Sequence, residues 1–261
     1  MADYDKVAKY YDMFYGDVFP YEAEVSSLQR LFERKGVQTV LDVPCGTGNH
    51  LIRLARLGYQ CCGGDISGGM LARAREKTAG MTIDFFTCDV KNLEIPRTFD
   101  AVISLYGLPS TLLARHPEPS LAAMRQRFHT ALRGIYNVLK PGGLFVFNIL
   151  NPNVPLPFPG FGPWGEFNIH TKEQDDIKIL SLSTIHRRDE LINFKDVYLI
   201  QDGDQLSMEM LGYCVGLLSI DQLKEDLREN GFTVEGLYGY LADLAPTGEE
   251  ALDITIAAVK R

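Results

Sequence analysis

The chain has 261 residues, 46% hydrophobic and 23% charged, the proportions of a globular protein with one large domain or a domain plus an insertion. A formal charge of -8 and a pI near 5.2 argue against a phosphate backbone as the main partner, so nucleic acid is a poor first choice. No apolar run is long enough to span a bilayer, and Met1-Ala2-Asp3-Tyr4-Asp5 lacks the basic and apolar segments of a secretory leader, so no membrane partner and a cytoplasmic location are expected. Five cysteines without a C-x-x-C pair predict free thiols, with neither a disulfide framework nor a metal site.

Tyr4, Val7, Ala8, Tyr11, Phe14 and Tyr15 recur at helical spacing, which predicts an amphipathic helix over residues 3 to 15. Its plain role is a stripe packed on the core. A second helix, about Tyr21 to Lys35, leads through Gly36 into a β-branched and aliphatic run at Val37, Val40, Leu41 and Val43. Turn residues stop this strand abruptly at Pro44-Cys45-Gly46-Thr47-Gly48. Leu51, Leu54, Ala55 and Leu57 then fall at helical spacing. A buried strand that runs through glycines into a helix N-terminus is a ready site for a polar ligand. Gly46 and Gly48 can take positive φ and let a ligand lie against the backbone. A dinucleotide fingerprint needs a third glycine where Leu51 stands, so the turn departs from an ordinary nicotinamide site.

Tyr59 to Asp65 reads as a second strand ending in an acid, with Ser67 as the cap of the next helix. Asp65 lies at the spacing of a carboxylate that accepts from ribose hydroxyls. Met81 to Thr87 and Phe99 to Gly107 are predicted as the third and fourth strands, followed by a helix from about Ser120 to Leu139. Pro141-Gly142-Gly143 then supplies a tight turn into a fifth strand. From Asn151 onward Pro152, Pro155, Pro157, Pro159 and Pro163 exclude a regular helix and alternate with Phe158, Phe161, Trp164 and Phe167. Antiparallel strands are expected over about 177 to 187, 191 to 200 and 205 to 215, with hairpin turns at Arg188-Asp189-Glu190 and Asp202-Gly203-Asp204. Ser219 caps a further helix. Asn230-Gly231-Phe232 opens a terminal hairpin that ends in a strand from Leu252 to Val259.

Val40-Leu41-Asp42-Val43-Pro44-Cys45-Gly46-Thr47-Gly48 resembles motif I, V-L-D-x-G-C-G-T-G, of the Rossmann-like S-adenosylmethionine-dependent methyltransferases, with Pro44 in place of the first glycine. That position offers a carbonyl to the cofactor's amino group, and proline keeps its carbonyl. Leu139-Lys140-Pro141-Gly142-Gly143 is similar to the family's L-x-P-G-G. Tyr4-Asp5-Lys6-Val7-Ala8-Lys9-Tyr10-Tyr11-Asp12 is similar to the opening of the small-molecule branch, which includes N-methyltransferases of glycine, amino sugars and secondary metabolites. The resemblance covers about residues 4 to 150 and 217 to 261. It implies a doubly wound, mostly parallel seven-stranded α/β sheet with an antiparallel insertion after strand 5. The implied divisions are a lid over residues 1 to 36, a cofactor core over 37 to 150 and 217 to 261, and an insertion over 151 to 216. The insertion walls the acceptor pocket, covers an edge, or forms a homodimer contact.

For the cofactor, S-adenosylmethionine, the resemblance implies Asp42, Pro44, Gly46, Gly48 and His50 along motif I, Asp65 at the ribose, and Ile66 and Met70 beside the adenine. Asp89 and Val90 fall where the family has an acid near the adenine amino group, and Leu105 ends the fourth strand. That strand ends in Ser104-Leu105-Tyr106-Gly107 and not in the N-P-P-Y of enzymes acting on DNA adenine or glutamine amides. The lid implies Tyr11 and Tyr15 facing the sulfonium, with Tyr106 as a further catalytic candidate. Asn148, Asn151 and Trp164 are candidates for the small-molecule acceptor. Methyl transfer is an in-line displacement, in which alignment supplies about 7 to 11 kcal/mol of the barrier. A neutral amine needs little further help, whereas a hydroxyl needs a base or a metal. No base is singled out among His50, His116, His129, His170, His186 and Glu166; His129 is expected on the outer face of its helix. The leading expectation is transfer to nitrogen. An O-methyltransferase, a catalytically silent S-adenosylmethionine-binding protein and, less favoured, a nucleotide-dependent dehydrogenase stay open.

Overall fold

The computed structural model describes residues 4–107, 120–153, 167–246 and 251–261. Its centre is β1 (Thr39–Asp42), whose neighbours are β2 (Gln60–Asp65) and β4 (Phe99–Ser104), both parallel to it. β3 (Ile83–Thr87) extends the sheet beyond β2, and β5 (Leu139–Leu150) extends it beyond β4. The C-terminal strands β10 (Phe232–Tyr238) and β11 (Asp253–Lys260) complete a seven-stranded sheet in the order β10-β11-β5-β4-β1-β2-β3, with β11 antiparallel to both neighbours. The order reverses between β1 and β4, which opens a crevice at the carboxyl ends of the parallel strands.

Alternation along each central strand sends neighbours to opposite faces. Leu41, Cys62, Val102 and Phe145 join one core, covered by α5 (Leu121–Val138) and α6 (Ile220–Glu229) through Phe128, Leu132, Leu223 and Leu227. Val40, Cys61, Ile103 and Val146 join the other. There α2 (Tyr21–Glu33), α3 (Asn49–Arg56) and α4 (Gly68–Lys77) bury Leu28, Phe32, Leu51, Leu54 and Leu71. Ser67 caps α4 by accepting from the Met70 amide at 3.1 Å. Gly63 on β2 lies so close beneath α3 and β3 that an added Cβ would stand 2.7 Å from Leu51 Cδ1 and 2.8 Å from Phe85 Cδ1. Gly63→Ala is therefore expected to lower unfolding stability by about 1–3 kcal/mol. A urea midpoint equal to the parent's would show that the helix yields without cost.

Two expected elements differ. The stripe over residues 3 to 15 forms two 3-10 turns, Tyr4–Lys6 and Ala8–Tyr10, and a one-turn helix, α1 (Tyr11–Tyr15), because Tyr10 and Tyr15 bind the insertion while Asp5 and Asp12 bind the core. Pro141 and Gly142 form an exposed excursion within β5, where the register against β4 jumps from Phe99–Leu139 to Ala101–Leu144.

The insertion is a four-stranded antiparallel sheet of β6 (Phe167–Gln174), β7 (Ile177–Arg188), β8 (Leu191–Asp202) and β9 (Gln205–Gly216). Three of these strands match the expected ones, and β6 is additional. Its buried face carries Ile179, Tyr198, Ile200 and Leu211 against Val7 and Phe14 of the N-terminal segment. Tyr10 donates to Asp202 at 2.8 Å, with Lys9 on the same carboxylate. The opposite face leaves Leu206, Met208 and Met210 exposed. Among the described residues no helix is long and apolar enough to cross a membrane.

Candidate active site

A cavity opens where β1, β2 and β4 end, and the N-terminal segment roofs it with Tyr4, Tyr11 and Phe19. Asp65 closes β2 and is 7% exposed. Its two oxygens accept from the amides of Gly46 and Ser67, each at 2.9 Å, so each keeps a lone pair for a ligand hydroxyl. Burial raises its carboxyl above the ordinary range, and the two amides partly offset this. Gly46 has φ +53°, and nothing lies within 4 Å of where its Cβ would be, so bare backbone faces the open space. Ile66, 37% exposed beside this acid, forms an apolar wall with Met70 and Leu105. Asp42, 2% exposed, enters the same cavity, and burial together with Asp65 pushes its carboxyl well up. Paired hydroxyl acceptors, apolar plates and bare backbone carbonyls at one strand-end crevice fit a nucleoside with an amino-acid tail.

A buried carboxyl organises the other end. Glu24, 1% exposed on α2, accepts from the Tyr106 hydroxyl and lies 2.9 Å from His50 Nε2. Phe19 stacks on Tyr106 with centroids 4.1 Å apart, and Tyr21 meets His50 edge-on at 5.0 Å. Tyr106 has φ 58°, a left-handed conformation supported by its amide's 2.6 Å bond to Asn148 Oδ1. Burial and then Glu24 raise the Tyr106 hydroxyl, keeping it a donor. Burial and Glu24 also push the Asp253 carboxyl up to about 7. The sequence signal for Glu24 is an acid on the apolar stripe of Tyr21, Val25 and Leu28, and composition alone hid it.

Two aspartates latch the N-terminal segment to the core. Asp5 accepts from the Ser67 hydroxyl at 2.6 Å and the Gly69 amide at 2.7 Å. Asp12 accepts from Thr47 at 2.7 Å, Asn49 at 2.9 Å and Lys77 at 2.8 Å. Burial would raise Asp12, but the bonds from Lys77 and Thr47 outweigh it and hold the carboxyl below its ordinary value. Burial draws the Lys77 ammonium down as well, so the ion pair's net worth is small and the hydrogen bonds carry the latch. With a depressed folded pKa, the Asp12 contribution is complete above the unfolded value of about 3.9 and fades as pH falls through the lower folded one. Asp12→Ala leaves three donors without their acceptor and is expected to speed amide exchange across residues 4–15 while the sheet keeps its protection. Unchanged exchange there would show that the latch is decorative.

Of the remaining sequence candidates, Pro44, His50, Tyr11 and Tyr106 line the cavity, and several others do not. Gly48, φ +78°, begins α3 and packs toward Ala74 and Phe85. Tyr15 turns to the insertion, its hydroxyl 3.4 Å from that of Tyr198. Asp89 caps the turn Val90–Asn92 by accepting from the Lys91 amide, and Val90 is buried in the core under α5. Asn148 serves the Tyr106 backbone. Asn151 ties the insertion's root, donating to the Ala251 carbonyl at 2.9 Å and accepting from Asn153 at 3.0 Å. Trp164, with Phe158, Phe161, His116 and Glu166, lies outside the described residues. His129 is not on an outer face: its Nε2 is 3.0 Å from Asp226, which also receives Arg125 Nε at 2.9 and 3.0 Å. Glu229 stands within 4.8 Å of this pair, but the guanidinium occupies the Asp226 carboxylate and makes the group an α5–α6 clasp.

Residues 40–143 match the family model described as a methyltransferase domain. A Geobacillus sp. (strain WCH70) protein named for the methyltransferases is 30% identical over 257 residues, 94% of this chain and 94% of its own. An S-adenosylmethionine-dependent methyltransferase of Clostridium acetobutylicum ATCC 824 shares the fold with a TM-score of 0.77 at 18% identity, over 98% of both chains. A sugar N-methyltransferase of Streptoalloteichus sp ATCC 53650 does so with a TM-score of 0.74 at 24% identity, over 96% of this chain and 92% of that one. Because the first relative is similar along nearly the whole chain, insertion included, this protein belongs to the S-adenosylmethionine-dependent methyltransferases, and S-adenosylmethionine is its cofactor.

Proposed function

We propose that the chain transfers the cofactor's methyl group to a nitrogen atom of a small-molecule acceptor. Bound S-adenosylmethionine supplies an electrophilic sulfonium methyl. In this reading Asp65 receives the ribose hydroxyls, Ile66 and Met70 face the adenine, and Asp42 with the Pro44 and Gly46 carbonyls meets the amino-acid end. Glu24 holds Tyr106 and His50 in place there. Gly48, Asp89 and Val90 shape the turns that carry these groups.

The observation that carries the nitrogen assignment is the roof. Tyr4 and Tyr11 line the cavity, and burial raises both hydroxyls so that they stay protonated at neutral pH. Such groups orient a nucleophile and solvate a sulfonium with oxygen lone pairs, but they do not remove a proton from an alcohol. An amine that reaches the methyl group neutral needs only that orientation. The sugar N-methyltransferase fold similarity, which extends through the insertion, supports the same class of acceptor. The test is methyl transfer from isotopically labelled cofactor to matched amines and alcohols, read by mass spectrometry. Methylated amines are expected, and products from the alcohols alone would overturn the assignment.

A further inference from the structure

The buried face of the insertion holds an acid that the cofactor site does not use. On β8, Phe194, Asp196, Tyr198 and Ile200 alternate onto the face beneath the N-terminal segment, with Asp196 opposite Ser183 on β7 and Leu211 on β9. Asp196 is 6% exposed. The polar side chain facing it across the ladder is Ser183, and among the described residues no basic side chain bears on it. Tyr198 follows two residues along the same strand face, Tyr213 sits diagonally across on β9, Tyr15 brings its hydroxyl to 3.4 Å from that of Tyr198, and Tyr4 packs on the same cluster. These rings are held in place: Tyr198 packs on Phe14 with centroids 4.8 Å apart, and Tyr213 stacks on Phe194 at 4.8 Å.

Tyr4 connects this acid to the cofactor cavity. It lines that cavity, meets Tyr11 edge-on at 6.2 Å, and lies under the charge of both Asp65 and Asp196. Tyr4 thus borders both the reaction space and the insertion face that carries Asp196.

A carboxylate on the buried face of a sheet costs stability unless a cation or several donors meet it, and one hydroxyl falls short of that. Tyrosines clustered on the same face as a lone buried carboxylate complement an alkylammonium, with the acid matching its charge and the ring faces attracting its polarised C–H and N–H edges. We propose that Asp196, with Tyr4, Tyr15, Tyr198 and Tyr213, forms the acceptor subsite and recognises the ammonium group of a small amine. The inference rests on the nitrogen-acceptor reading and adds the residue that selects a cationic acceptor. In that contact one ammonium proton passes to the carboxylate, which leaves a neutral amine and a carboxylic acid. Burial favours this exchange because both charges disappear.

The test uses the protein saturated with S-adenosylhomocysteine, titrated by ligand-observed NMR with methylammonium, dimethylammonium, glycine and glucosamine. Each is paired with a counterpart that lacks the amine: methanol, dimethyl ether, glycolate and glucose. At least one amine is expected to bind in preference to its counterpart, and Asp196→Asn to weaken it about tenfold or more with adenosylhomocysteine affinity unchanged. Should that variant fail to fold, Tyr213→Leu is expected to weaken the same amine several-fold and leave its counterpart unaffected. No amine preferred over its counterpart, or equal amine binding to parent and variant, overturns the subsite. Mass-spectrometric products on the same panel report separately on the nitrogen-acceptor reading, which methylated alcohols alone would end while the binding data stand.

Discussion

Replacing Asp65 by alanine will weaken adenosylhomocysteine binding by roughly 10- to 150-fold for each ribose hydrogen bond lost, since a bond to a charged group contributes about 1.5–3 kcal/mol. The variant also strips the acceptor from the Gly46 and Ser67 amides, which Asp65 now holds at 2.9 Å, so the motif I turn loosens where the ligand must lie. Asp65→Asn separates these effects: one side-chain oxygen still accepts from an amide, while the charge is gone. Titration calorimetry on both variants, beside their thermal midpoints, tells ligand contact from turn support. Parent-like affinity in the alanine variant would remove Asp65 from the ribose.

Glu24→Ala is the second large effect. It leaves the Tyr106 hydroxyl and a His50 ring nitrogen buried without their shared partner. Each such group costs about 1–3 kcal/mol, so unfolding stability should drop by roughly 2–6 kcal/mol in urea titrations. The loss should reach the ligand as well, because Glu24 is the α2 side chain that receives the Tyr106 hydroxyl at the cavity wall. Glu24→Gln offers an oxygen to Tyr106 and an amide to His50, and is expected to recover much of the stability. Both variants remove a negative charge near Asp253, so that carboxyl should titrate below the value of about 7 it holds in the parent, as read by carbon NMR. A silent alanine variant would show that water replaces the carboxyl without cost.

Motif I announced itself in the sequence because strand, glycine turn and helix are neighbours in the chain. Asp65 followed for the same reason, at the end of the next strand. Long-range polar geometry is another matter. Nothing in the spacing of Asp5 or Asp12 indicates that they reach Ser67 and Lys77, since those bonds span 62 and 65 residues. Glu24 has partners 26 and 82 residues away, beyond the reach of any local pattern. β6 went unseen because Asn168-Ile169-His170-Thr171-Lys172-Glu173-Gln174 has little apolar alternation, and pairing along β7 makes it a strand. Asn151 promised an acceptor contact by its place after the fifth strand. The need to satisfy backbone at the insertion's root claimed it instead.

The N-terminal segment belongs to two compartments at once. Asp5 and Asp12 fasten it to the nucleotide side, while Tyr10 and Tyr15 fasten it to the insertion sheet. A ligand that orders this segment from either side spends entropy that the other ligand then need not spend. With the acceptor seated on the insertion as proposed, the same dozen residues would couple the two ligands. By linkage, whatever factor one tightens the other by is returned in equal measure.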